Sequence, residues 1–316
     1  MLVFSRHTIS HLKNILSNIY IPGGLRLWLT IFSLSFIGYA INNNIDELLN
    51  LKLNNDSFFW LFIGFIASLA SLYLNAYAWK ILISWLRYKA IGVKLIPLFL
   101  KTNILKYAPG GVWHFVERVR SLKSSIGIRK SILSIILEPV LMLVSSSLCI
   151  AFGPWGYGYS FICLLPFLVF INPFRDKLIS RFEKIQIKKL QSYNVDIPIL
   201  KPDSSLDLRR QNYPFKPLIV EIAFILVRFS GFWFCLKAFD LDIMLPIHHW
   251  LSFFSLAWSV GLIVPAAPGG IGVFEFVLFS ALGSEAQGAA LLGVLLCYRT
   301  ISSLSDVSAA LLSRLI

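Results

Sequence analysis

Apolar residues run along this chain in long blocks, without the short alternations of a soluble domain. Seven stretches are long and apolar enough, or nearly so, to cross a membrane: 25–41, 58–83, 130–151, 157–171, 217–238, 246–264 and 286–313. A spanning helix needs about 20 mostly apolar residues, so 157–171 needs its neighbours. The pattern predicts an all-α polytopic membrane protein of about seven to eight transmembrane helices. It reads as one integral-membrane domain over 1–316, with a cytoplasmic segment 1–24. Gly38-Tyr39-Ala40 faintly resembles a signal cleavage site. Further spans follow it, so the first stretch reads as uncleaved.

Two apolar stretches are interrupted, within 95–117 and 264–284. Both contain Ala-Pro-Gly-Gly followed by a β-branched residue, at Ala108–Val112 and Ala267–Ile271. Proline removes a backbone donor and glycine frees the dihedrals, so neither stretch continues as one helix. Unsatisfied backbone in lipid is costly, so such breaks face protein or a watery cavity. Matching interruptions in two halves point to a transporter binding site, with re-entrant segments. New helices opening at Val112 and Ile271 would turn N–H groups and a positive dipole end towards a phosphate or carboxylate. The alternative is a pair of tight turns with no ligand. Four spans separate the copies, an even number, whereas an inverted repeat needs an odd one. On this count the halves are parallel, or the count is off by one. The end of the chain raises the same question. Seven spans put Arg314 outside, and a further crossing by 271–283 would bring it inside.

Loop charges alternate in sign. Arg6, Lys13 and Arg26 lie in 1–26, and Asp46, Glu47 and Asp56 against Lys52 in 42–56. Arg87, Lys89 and Lys94 lie in 84–94, and Arg118, Arg120, Lys123, Arg129 and Lys130 against Glu117 in 117–130. Loop 172–216 has ten basic and five acidic residues, and 239–245 only Asp240 and Asp242. The positive-inside rule then puts the N-terminus in the cytoplasm. Loop 172–216 is too short and too rich in proline for a catalytic domain. Its Lys177–Leu190 part is either an amphipathic helix on the inner leaflet or a solvated connector.

Composition supports the membrane reading. Hydrophobic residues make up 57% of the 316 and charged residues 14%, against roughly 25% charged in a soluble domain. Mean hydropathy is +0.72. A soluble enzyme, a disordered chain and a disulfide-stapled secreted domain are excluded. The net charge of +13 is explained by basic cytoplasmic loops meeting anionic lipid, with no nucleic-acid module present. Cys149, Cys163, Cys235 and Cys297 lie in apolar runs and read as small core residues. His114, His248 and His249 form no metal pattern, and neither a metal nor a cofactor is expected. No acyl- or phosphoryl-transfer motif is present, and no catalytic residue is assigned.

Ionisable residues inside spans are functional candidates. They are Lys80, Arg228 and Arg299 against Glu138, Glu221, Glu275 and Asp306. Lys80 is near a span end and can snorkel. Glu138 precedes Pro139, which kinks its helix. Glu221 and Arg228, seven apart, share a face but are too distant to pair, so each needs a partner on another helix. Arg299 and Asp306 repeat that spacing. The near-balance predicts a paired network that either only holds helices together or forms a polar path for a headgroup or proton.

Pro268-Gly-Gly-Ile-Gly-Val-Phe-Glu275 resembles the signature of the lysylphosphatidylglycerol synthase transmembrane region family, the flippase-like inner-membrane proteins. Lys106-Tyr-Ala-Pro-Gly-Gly-Val-Trp113, with Arg118 or Arg120 after it, resembles that family's first motif. Asn75–Trp79, Glu138 and Tyr298-Arg299 fit its layout, so the resemblance covers about 25–313. It implies lipid handling at the bacterial inner membrane, in lipid or polysaccharide biogenesis of the cell envelope, without the separate aminoacyltransferase domain. The substrate does not carry over. The expected function is a flippase-like transporter moving an anionic or isoprenoid-linked lipid between leaflets. The rivals are a non-catalytic subunit of an envelope-biosynthesis complex and, behind it, an integral-membrane glycosyl- or phospho-transferase. Expected partners are lipids with anionic headgroups and envelope-biosynthesis enzymes, with no nucleic acid. The candidate substrate-binding residues are Pro109, Gly110, Gly111, Trp113 and Arg118 at the first break and Pro268, Gly269, Gly270, Gly272 and Glu275 at the second. Arg228 and Arg299 join them from the spans, and Glu138, Glu221 and Asp306 complete the intramembrane charge network.

Overall fold

The computed structural model describes residues 24–51, 53–88, 90–108, 111–155, 160–171, 212–264, 272–283 and 288–315. Among them there is no strand. The helices are α1 (Gly24–Asn43), α2 (Ile45–Asn50), α3 (Asn55–Trp85), α4 (Leu95–Asn103), α5 (Trp113–Ile126), α6 (Ile128–Ile150), α7 (Phe215–Ala238), α8 (Ile247–Ile263), α9 (Val273–Leu282) and α10 (Gly288–Leu312). Ile104–Tyr107 and Leu165–Phe170 form tighter 3-10 turns.

Four helices, α3, α6, α7 and α10, are long and apolar enough to cross a membrane. At 1.5 Å per residue they are about 35 to 47 Å long, more than the hydrocarbon thickness of about 30 Å. Phe58, Phe59, Phe62 and Ile66 of α3 face outward, as expected where the surroundings are lipid. The inner face of α3 carries small residues. A Cβ built on Gly64 would stand 3.0 Å from the backbone oxygen of Gly231 on α7. Small residues let two apolar helices approach closely when no water drives them together. The α3–α7 pair is the most extensively packed in the structure.

The direction of each crossing follows from contacts at the helix ends. At one end, Trp85 donates to the Asn212 carbonyl and Ser125 to the Ile91 carbonyl. There Tyr213 also stacks on Phe167 and donates to its carbonyl. The end of α3, the start of α4, the end of α5, the start of α6 and the start of α7 therefore share one end. At the other, Trp155 donates to Ser252 of α8 and to the Ile150 carbonyl, Asn44 lies beside Gly288, and Phe239 lies against Gly293. The described residues at the first end include Arg87, Lys94, Arg129, Lys130 and Arg314, and those at the second Asp46, Glu47, Asp240 and Asp242. Lys237, 4.7 Å from the Trp60 ring centre, is an exception at the acidic end.

This arrangement revises three sequence expectations. The 157–171 stretch is not a regular spanning helix: it is described from 160 and finishes as a 3-10 turn. It still carries the chain from Trp155 at the acidic end to Phe167 at the basic end. The 246–264 stretch forms α8, of 17 residues, but it does not act as a single crossing. It starts at the acidic end, and α9 returns to that end, where Gly283 lies near Gly288. At ten residues, about 15 Å, α9 cannot cross alone. Between the two breaks the described chain therefore passes from one end of the bundle to the other three times, an odd number: along α6, between Trp155 and Phe167, and along α7. The two broken segments enter from opposite ends. The C-terminal end of α10 lies at the basic end, where Ala309 joins the core cluster holding Leu86. Residues 1–23 and loop 172–211, with the Lys177–Leu190 segment, lie outside the described residues.

Candidate functional site

Helix α10 is the seam on which both broken segments meet. Tyr298, Ser302 and Asp306 follow at four-residue intervals, and all three are buried. A four-residue interval stacks side chains on one face of a helix. Arg299 sits beside Tyr298, one turn before Ser302.

The first broken segment reaches Asp306. Helix α4 stops at Asn103, the chain tightens through Ile104–Tyr107, and Ala108 is extended. Gly111 has φ +56°, a left-handed conformation that glycine adopts without a Cβ clash. Helix α5 then starts at Trp113 after the N-cap Val112. The 3-10 turn brings three donors onto one carboxylate. Asn103 Nδ2 donates to Asp306 Oδ1 at 2.8 Å, and Tyr107 Oη to Oδ2 at 2.6 Å. Lys106 Nζ lies 2.8 Å from Oδ2. Asp306 is fully buried, so these three partners stand in for water around its charge.

The second broken segment reaches Arg299. Gly272, with φ +91°, is the N-cap of α9. Glu275, one turn on, accepts the Gly272 N–H through Oε2 at 2.7 Å and Arg299 Nε through Oε1 at 2.6 Å. The described helix opens at Val273 with Gly272 as cap, and Ile271 lies outside the described residues. The Gly272 N–H is taken by the chain's own carboxylate.

The two tips mirror each other in charge. The first offers a cation, Lys106, to an anion of α10, and the second offers an anion, Glu275, to a cation of α10. Their contact points are seven residues apart on α10, about 10 Å along its axis.

Arg228 of α7 is buried between them. It donates to Ser302 of α10 and, at 3.4 Å, to the Ser68 carbonyl and Ser71 Oγ of α3. Its guanidinium lies 5.8 Å from the centre of the Tyr298 ring. Among the described residues no carboxylate lies within ion-pair distance of it. Lys106, Arg228 and Arg299 are close enough for their charges to act on one another. Among the described residues Glu275 and Asp306 stand against them, two anions to three cations. Beyond Arg228, on the outer side of α7, an apolar groove of about 330 Å³ runs between α7 and α8, lined by Leu226, Phe229, Trp233, Ile247 and Leu251.

A second buried cluster lies across α4. Thr102 turns to it and Asn103 to Asp306. Arg118 of α5, 1% exposed, donates to Glu138 at 2.7 Å and to Thr102 at 3.1 Å. Its guanidinium stands 3.8 Å from the centre of the Phe99 ring and 5.3 Å from that of Trp79. Arg118 is therefore neither a loop charge nor part of the seam. Glu221 of α7 is also buried, yet its Oε2 has no hydrogen-bond partner.

Of the expected site residues, the structure brings Glu275, Arg228, Arg299 and Asp306 together, with Gly272 beside them. Arg118 and Glu138 pair elsewhere, near Glu221. Gly111 and Trp113 flank the first break, while Pro109, Gly110, Pro268, Gly269 and Gly270 lie outside the described residues. Lys80 is exposed. Sequence reasoning quoted Lys106 and Tyr107 only as part of the first motif, and did not single out Asn103, Ser302 or the Ser68–Ser71 pair. Ser68 and Ser71, one turn apart in an apolar span, were the signal available for Arg228. Among the described residues no three His, Cys, Asp or Glu side chains gather as a metal site. No protein-family model matches the chain, and no curated protein matches it. It stands as an all-helical protein with four helices able to span a membrane.

Proposed function

We propose that this chain is a multi-pass membrane transporter that moves a lipid with an anionic headgroup, phospholipid or isoprenoid-linked, between leaflets. The observation that carries this reading is Arg228. Among the described residues its hydrogen bonds go to hydroxyl and carbonyl groups, in a seam of three cations and two anions that the two broken segments reach from opposite ends. A buried cation with no carboxylate in contact is costly; the charge of Asp306 reaches Arg228 only from a distance, and a phosphate brought to Ser302, Ser71 and Arg228 would supply a direct partner through charge-assisted hydrogen bonds. The groove between α7 and α8 offers an apolar surface for a lipid chain on the far side of the same helix.

The resemblance to the flippase-like family supports the same reading. Lys106, Tyr107, Glu275, Tyr298 and Arg299 all belong to the matching motifs, and all of them line the seam. The charge split between the two ends supports an inner-membrane orientation with the basic end, and both chain termini, in the cytoplasm. In this mechanism, opening Lys106–Asp306 admits the headgroup from the basic end, and opening Glu275–Arg299 releases it at the acidic end.

The test is translocation of fluorescent anionic, zwitterionic and isoprenoid-linked lipids in proteoliposomes. Wild-type protein should move an anionic class and leave the zwitterionic lipid in place. Arg228→Gln should slow that movement about ten- to hundred-fold, as expected for losing a hydrogen bond to a charged group, and Arg299→Ala should abolish it. Folded Arg228→Gln protein that moves lipid at the wild-type rate would sink the proposal.

A further inference from the structure

Glu221 is not used by the seam, and its surroundings give it a different role. It is 1% exposed, on the face of α7 that packs against α3 and α6. Leu218 and Ile222 flank it, in one apolar cluster with Leu137 and Leu141, which flank Glu138 on α6. Glu138 is close enough for its charge to act on Glu221. The guanidinium of this cluster, Arg118, spends its hydrogen bonds on Glu138 and Thr102 and its flat faces on Phe99 and Trp79. Two carboxyl groups thus share one cation, and only one of them is paired with it.

A second orphan lies on the opposing helix. Asn75 of α3 is buried, and its Oδ1 has no donor. Helices α3 and α7 run antiparallel, with Gly64 against Gly231 and Ser71 against Arg228. That register carries Asn75, one turn beyond Ser71, to the level of Phe224 and Glu221. An acceptor without a donor and a carboxyl oxygen without a partner thus occupy the same level of the interface. A hydrogen on Glu221 would give that level the donor it lacks.

We propose that Glu221 and Glu138 form a proton-binding carboxyl pair set against the single guanidinium of Arg118, with the proton resident on Glu221. With that proton the cluster is neutral; without it, a second negative charge sits among leucines with no hydrogen bond. The other ionisable groups around α7 are committed to the seam, stand at helix ends or lie on α3, where Tyr77 and Lys80 are exposed. Helix α10 presents Tyr298, Arg299 and Asp306, all committed to the seam, and Arg228 is on α7 itself, two turns away. Helix α8 presents His248 and His249 at its acidic-end start, helix α3 Tyr73, Tyr77 and the exposed Lys80, and α7 ends in Lys216 and Lys237. A metal ion is a poorer occupant, because it needs several oxygen ligands at short range and the flanking side chains are aliphatic. If the chain is a transporter, as proposed above, this is where a proton would couple to it, but the site itself does not depend on that reading.

The test uses purified full-length protein in nanodiscs, with infrared spectra followed through an alkaline titration in H2O and D2O. Wild type should show, at neutral pH, the carbonyl band of a protonated carboxylic acid that shifts in D2O and disappears with rising pH. Glu221→Gln should lose that band, one acid group per chain, while keeping its helicity, its elution volume and its thermal midpoint. Its amide matches the protonated acid in size and can donate to Asn75. Glu117→Gln should keep the band. A wild-type spectrum without the band, or a band that survives Glu221→Gln, would overturn the proposal. So would a Glu221→Gln chain that fails to fold, because the charge at 221 would then be structural. None of these readings requires lipid transport, so failure here and failure of the transport reading are separate results.

Discussion

Asp306 carries more hydrogen bonds than any other buried acid described in this chain, and each comes from the first broken segment. Replacing it by asparagine would leave Lys106 facing a neutral amide and would weaken the bond from Tyr107. Breaking a buried ion pair from one side typically costs about 3–5 kcal/mol. Lys106 keeps 24% of its side-chain surface exposed, so we expect the low end of that range for Asp306→Asn, read as a lower unfolding midpoint in nanodiscs. Lys80→Ala, at an exposed position, should leave the midpoint unchanged. Which charges deserved attention was legible in the sequence, because an ionisable residue in an apolar span needs a reason to be there. Which cation meets which anion was not. Arg118 read as a basic residue of 117–130 and a candidate ligand at the first break, and the fold buried it against Glu138 instead. Lys106 stood in the first motif with no partner assigned.

The breaks were legible at the level of elements, because proline and glycine act locally on the backbone. Helices stop at Asn103 and Ile263 and restart at Trp113 and Val273, within a few residues of the Ala-Pro-Gly-Gly copies. The exact opening of α9 was not legible, since it depends on Gly272 taking a positive φ and on Glu275 reaching back to cap it. Gly272→Ala should cost roughly 1–3 kcal/mol through backbone strain. The loss should appear as a lower midpoint together with weaker holding of Arg299. The close contact of α3 and α7 makes a separate prediction. A side chain at Gly64 meets the Gly231 carbonyl, a backbone atom that cannot swing aside. Gly64→Val should therefore cost about 1–3 kcal/mol by overpacking and should disturb Arg228, which leans on Ser68 and Ser71 one and two turns further along α3.

Across the whole molecule, the two hairpins enter from opposite ends. In a background without native cysteines, Ile91→Cys, Leu315→Cys and Ile243→Cys, all at positions more than 80% exposed, should be labelled by a membrane-impermeant thiol reagent. In sealed, right-side-out vesicles Ile243→Cys should react, while Ile91→Cys and Leu315→Cys should react only after permeabilisation. Labelling of Ile91→Cys and Ile243→Cys from the same side would contradict the arrangement. The sequence count of four crossings between the breaks missed this because length and apolarity do not distinguish a helix that crosses from one that turns back. Helix α8 has the composition of a span, and only its packing against α7 together with the return of α9 shows it as half of a hairpin. The 157–171 stretch looked marginal, yet it carries the chain from one end to the other.

The sequence by itself determined the class of molecule, the places where helices break and the sign of the charge at each end. These depend on hydropathy, on the local chemistry of proline and glycine and on loop composition, all of which act over a few residues. Only the tertiary structure decided that both breaks converge on α10, that Arg228 is left among hydroxyls, and that Glu221 Oε2 finds no hydrogen bond among the described residues. Those outcomes depend on which faces of distant helices meet. A face has no identity in the sequence until packing chooses its neighbour, and in a chain where nearly every position is apolar, periodicity cannot mark which face that will be.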